Sequence, residues 1–65
     1  MIVDNYSSAI KELRTKMNMS QQEFAMVLGV SFASINRWEK GVHEPTPKMK
    51  RKLRSLFNEY DVNIK

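Results

Sequence analysis

One stretch, Ser20 to Gly41, constrains this chain more than any other: SQQEFAMVLGVSFASINRWEKG. It predicts two short helices joined by a tight turn, each with its own start signal. Ser20 followed by Glu23 is a capping box, in which the serine oxygen accepts the Glu23 amide proton and the glutamate reaches back to the serine amide. Met19 before the cap and Phe24 inside the helix form a hydrophobic staple. The same arrangement recurs with Ser31 as cap and Val30 and Ile35 as the staple pair. Gly29 and Gly41 sit where each helix needs a left-handed residue to stop.

The rest of the chain must supply the core that covers this unit. With 65 residues there is room for one domain and one small core, so 1–65 is read as a single unit. That the chain is one part of a larger protein stays open, with Met1 at the start and a tail without linker composition arguing mildly against it. There are no cysteines, hence no disulfide framework and no thiolate metal site, which fits a reducing, cytoplasmic location. A lone His43 makes no metal site either, and no cofactor is expected. No apolar run approaches the roughly 20 residues that span a bilayer, and the N-terminus lacks the pattern of a signal peptide. Eleven Lys and Arg against seven Asp and Glu give +4, a balance that favours a polyanionic partner.

Residues 1–6 are read as a loose arm. The first helix is predicted from Ser7 or Ser8, either of which can cap, to about Met17. Its apolar stripe is Ile10, Leu13 and Met17, with Lys11, Glu12 and Lys16 on the solvated side. The second helix, Gln21 to Leu28, buries Phe24, Ala25 and Leu28. Ala25 is small enough for two helices to cross closely there. The third helix, Phe32 to Lys40, divides into two arcs at 100° per residue. Ile35 and Trp38 face the core, while Phe32, Ala33, Asn36, Arg37 and Lys40 make a polar, basic face with one aromatic at its leading end. Phe32 either stands exposed on that face or folds back onto Leu28. Thr46 caps a fourth helix from Pro47 to about Tyr60, with proline at the first position where its missing amide proton costs nothing. Met49, Leu53, Leu56, Phe57 and Tyr60 form its apolar stripe, and Lys48, Lys50, Arg51, Lys52 and Arg54 make its other side densely basic. The tail, 61–65, is either a frayed end or an addition to a dimer interface.

No catalytic constellation accompanies the serines, which are better explained as caps or surface residues, so the chain is not read as an enzyme. The two central helices and their turn have the outline of a helix-turn-helix. Gln21, Glu23, Ala25, Gly29, Val30, Ser31, Ile35, Arg37, Trp38, Glu39, Gly41 and Pro45 together resemble the helix-turn-helix domain of the lambda-repressor and Cro type, a large family of phage and bacterial regulators and antitoxins. The resemblance covers about residues 7–58. It implies an all-α bundle of four or five helices, here with four visible and the fifth absent or reduced to the tail, whose third helix lies in the DNA major groove.

By that resemblance Gln21 meets a DNA phosphate at the front of the second helix, aided by the helix amides, and Ser31 also touches the backbone. Phe32 and Ala33 take the first base-reading positions, where other members often carry glutamine or serine. Neither can hydrogen-bond a base edge, but both can pack on a thymine methyl. Asn36 and Arg37 supply polar readout, asparagine to adenine and arginine to guanine, with a phosphate contact as the other role open to Arg37. Lys40 is a phosphate contact, and Lys48 and Arg51 hold flanking phosphates unless the basic face is simply solvated or binds an acidic protein partner or a membrane. Arg14 and Glu39 match a partly buried ion pair of similar domains.

The expected function is sequence-specific binding of double-stranded DNA by a bacterial or phage transcriptional regulator, as a homodimer on a roughly palindromic operator. The tail, Phe57 and Tyr60 are the candidates for the dimer interface. The alternative is a protein-interaction module or antitoxin-like component that uses the same fold to bind a protein partner, and an exposed Phe32 is the feature that most supports it.

Overall fold

The computed structural model describes residues 5–62, apart from the Asn5 side chain. Four helices lie in that range: α1 Asn5–Lys16, α2 Gln21–Leu28, α3 Phe32–Lys40 and α4 Pro47–Glu59. No strand and no fifth helix occur among the described residues, and the fold is all-α.

The start signals act as their chemistry dictates. Ser20 Oγ accepts the Glu23 N–H at 3.1 Å while Glu23 Oε1 accepts the Ser20 N–H at 2.9 Å, completing the capping box. Ser31 accepts from the Ser34 amide and Thr46 from the Met49 amide, at 3.1 and 3.3 Å. Each cap gives a partner to one of the amides that the first helical turn leaves open.

The helix ends share a device that glycine only partly reveals. After each helix one residue adopts a left-handed conformation: Asn18 at φ 59°, Gly29 at 74°, Gly41 at 76° and Asp61 at 58°. The next amide then reaches back five residues, in the bonds Met19 N–H to Arg14 O, Val30 to Ala25, Val42 to Arg37 and Val62 to Phe57, 2.8–3.1 Å long. This is the Schellman closure, and its usual companion is an apolar contact from the residue after the left-handed one. Met19 and Val30 pack against the core and Val62 is buried within it, whereas Val42 stands 63% exposed.

The core is built from the predicted stripes. Ile10 and Leu13 of α1, Phe24, Ala25 and Leu28 of α2, Ile35 and Trp38 of α3, and Leu53 and Phe57 of α4 are all buried. Ala25 is 3% exposed, and α2 packs against α3 as that small residue requires. α1 packs against both α3 and α4.

The termini differ from the sequence expectation. α1 begins at Asn5 rather than at Ser7 or Ser8, so positions 5 and 6 of the expected arm are helical, and residues 1–4 lie outside the described range. The reason is Tyr6, whose ring lies 6.3 Å from that of Phe57 and beneath the Lys50 ammonium at 4.9 Å, so an extra turn places an aromatic over the core. Ser7 does not cap. Its hydroxyl donates to the Glu39 carbonyl at 3.1 Å. At the far end Val62 is a core residue, so the tail is anchored at its start, and residues 63–65 lie outside the described range. Phe57 is 2% exposed and is filled by the protein's own packing, which removes it from any dimer interface. Lys16 is more than a solvated side chain: its ammonium donates to the carbonyls of Tyr60 and Asp61 at 3.2 and 3.1 Å, closing the C-terminus of α4 from α1. A cation there also complements the negative end of the helix dipole.

Candidate nucleic-acid interface

Glu39, near the end of α3, fixes how that helix is held. Its carboxylate accepts from Arg14 Nε at 2.7 Å and Nη2 at 3.1 Å, a two-pronged pair, and from Gln21 Nε2 at 3.0 Å. The Arg14 side chain is 18% exposed and that of Glu39 is 5% exposed, so the carboxylate is shielded from water and the guanidinium partly so. Arg14 Nη1 also donates to the Met19 carbonyl at 3.0 Å, tying the α1–α2 link into the same network. The bond to Glu39 raises the Arg14 pKa above its ordinary value; burial works in the opposite direction, and the charge of Glu39 adds to the rise. A raised arginine pKa means that this stabilisation is fully present below the ordinary value and is lost only at far more alkaline pH.

With Ile35, Trp38 and Glu39 turned inward, the opposite side of α3 is presented to solvent. Phe32 is 47% exposed and belongs neither to the buried core nor to the side chains packed against it. Ala33, Arg37 and Lys40 are exposed and Asn36 is half-buried. The side chains of Asn36, Arg37 and Lys40 make no hydrogen bond or ion pair among the described residues, which leaves their polar ends available. Arg37 borders an open groove of about 350 Å³ between α3 and the loop before α4, together with Ser34, His43 and Glu44. Glu44 does not neutralise it, since that carboxylate pairs with Lys50 at 2.7 Å.

The five residues expected at phosphates lie in four places. Gln21 opens α2, and one proton of its side-chain amide goes to Glu39, leaving the second and the free amides of the first turn. Ser31 is exposed, with its oxygen shared between the Ser34 amide and the Ser34 hydroxyl. Lys40 belongs to the outer face of α3. Lys48 and Arg51 are exposed on the first turns of α4, where Arg51 borders a groove with Tyr6, Lys50 and Arg54. Lys52 is not simply part of a solvated basic side, for its ammonium donates to the Leu28 carbonyl at 3.3 Å and braces the end of α2. Neither the Gln21–Glu39 bond nor the Lys52 brace could be found from periodicity, because each joins residues on different helices, 18 and 24 positions apart.

A capped α2, a glycine turn and an α3 that buries one side and presents the other define a helix-turn-helix domain. The family model described as helix-turn-helix matches residues 10–63. The chain belongs to the lambda-repressor and Cro type of helix-turn-helix family, a family of regulators that bind double-stranded DNA. It is similar to an HTH-type transcriptional regulator of Archaeoglobus fulgidus, 43% identical over 49 residues that make up 75% of this chain and 69% of that protein. It is also similar to the Type II methyltransferase M.SsoII of Shigella sonnei, 44% identical over 48 residues. Those residues are 69% of this chain but 13% of the methyltransferase, and the match lies in its helix-turn-helix part. No solved structure matches the chain.

Proposed function

We propose that this protein binds specific sequences in double-stranded DNA by laying α3 in the major groove, and so regulates transcription. The observation that carries this is the outer face of α3, where exposed Arg37 and Lys40 and half-buried Asn36 have no protein partner among the described residues. Arg37 and Asn36 have the donors and acceptors that base edges match, and Phe32 and Ala33 suit a thymine methyl. Gln21, Ser31, Lys40, Lys48 and Arg51 set the register by holding phosphates, with the open amides of α2 helping at Gln21. Arg14 and Glu39 touch no DNA in this scheme; they hold the angle between α1 and α3. Two copies on a roughly palindromic site follow from the usual symmetry of such operators. The similarity to a transcriptional regulator supports the same role.

The test is a fluorescence anisotropy titration against random-sequence duplex at low salt, repeated as salt rises. Binding that weakens steeply with salt is expected, because phosphate neutralisation releases counterions. Absence of binding at low salt would overturn the proposal.

A second function is favoured by one observation. Met26, Val27, Phe32 and Val42 are 75%, 46%, 47% and 63% exposed, four large apolar side chains left in solvent. A protein partner, as for an antitoxin-like component, would cover such residues. Loss of that partner on Phe32→Ala with DNA affinity unchanged would mark this second function as the correct one.

A further inference from the structure

We propose that the apolar leading edge of α3, Phe32 with Ala33, reads the 5-methyl group of pyrimidines, so that cytosine methylation tunes the affinity of this domain for its site. This rests on the function proposed above, in which α3 faces the major groove.

The argument starts from what the groove offers. The base edges there carry hydrogen-bond donors and acceptors, and the one bulky apolar group is the methyl on C5 of thymine, where cytosine has only a hydrogen. Phe32 and Ala33 bring no donor or acceptor of their own. Placed against a carbonyl or an amine, they strip water from a polar group and give nothing back. Placed against a methyl, they bury apolar surface on both sides. The phenyl ring is available for this, since it is 47% exposed and has no seat in the core. Ser34, the next side chain along, is half-buried and bonded to Ser31, so it does not add a polar reader beside the ring.

5-Methylcytosine carries the same methyl at the same place in the groove as thymine. The two differ there by a carbonyl in one and an amine in the other. Telling them apart takes a hydrogen-bonding group, and Phe32 and Ala33 have none. The pair therefore treats thymine and 5-methylcytosine alike, and both differently from cytosine. Methylation of a cytosine under Phe32 turns a disfavoured edge into a favoured one. One buried methyl corresponds to about a fourfold change in affinity.

The experiment begins with a site selected from random duplex. Each thymine in it is replaced singly by deoxyuracil, which removes only the methyl. At any sensitive position the pair is then changed to cytosine–guanine and to 5-methylcytosine–guanine. The expected result is a loss of about fourfold for deoxyuracil at one or more positions, and binding about fourfold tighter to 5-methylcytosine than to cytosine there. Phe32→Ala should erase both differences while keeping the wild-type melting temperature, because the ring is outside the core. Deoxyuracil without effect at every thymine would overturn the inference, as would a methyl preference that survives in Phe32→Ala. If no site can be selected at all, the function proposed above fails and this inference falls with it. A selected site that ignores methyl groups defeats this inference alone.

Discussion

Glu39 shows how one side chain can decide the shape of a site without being part of its surface. It receives Arg14 from α1 and Gln21 from the start of α2, and its own carbonyl receives Ser7. Replacing a shielded ion pair as a whole can be neutral, but removing one member strands the other. Arg14→Met should therefore cost about 3–5 kcal/mol, read as a fall in the chemical denaturation midpoint. A wild-type midpoint would mean that the pair contributes nothing. Little of this network was legible in the sequence. Arg14 and Glu39 are 25 positions apart, so no helical spacing links them, and only the family resemblance suggested their meeting. The bond from Gln21 had no signal, because a glutamine after a serine cap is as well explained by a phosphate. The outer face of α3 was more legible, since 100° stepping separates inward from outward residues whatever the tertiary packing. That stepping left the exposure of Phe32 undecided, and the structure leaves the ring 47% exposed.

At the scale of the element, α1 to α4 begin and end by local rules that were readable to unequal degrees. The caps Ser20, Ser31 and Thr46 were plain in the sequence because a hydroxyl residue before an apolar period has one main use. The stops were half legible. Gly29 and Gly41 announce a left-handed residue, while Asn18 and Asp61 occupy the same conformation with side chains that have many other uses. The hidden regularity is the apolar residue that follows each of them. A methyl group added at Gly29 would meet no atom within 4 Å, so the whole effect of Gly29→Ala comes from its φ of 74°. It should cost about 1–2 kcal/mol, and Gly29→Asn should cost less, as measured by urea denaturation. Equal losses for the two would place the cause in packing instead. Val62 tests the closure of α4, because its side chain is 4% exposed. Val62→Ala should cost about 2 kcal/mol, whereas a change within a few tenths would show an end that frays.

For the whole molecule, a Cα radius of gyration of 10.7 Å matches the size expected for a folded chain of this length, about 11 Å. So small a body cannot spare an element: α1 and α4 exist to cover α2 and α3, and the exposed face of α3 is what remains. Charge is distributed to suit that division, with Lys48 and Arg51 exposed on the first turns of α4 and Lys16 and Lys52 turned to bracing carbonyls. Lys48→Ala should weaken binding to all duplexes alike and lower the magnitude of the logarithmic salt slope by about 1. A loss confined to one sequence would make Lys48 a base reader. Sequence-specific recognition through α3 is the central claim, and selection of bound sites from a random duplex pool, by the wild type and by Arg37→Ala, tests it most directly. The wild type should enrich one motif, and Arg37→Ala should lose preference at one base pair with a cost of about 1–3 kcal/mol on the wild-type site. Enrichment of no motif, or the same motif undiminished in Arg37→Ala, would contradict it.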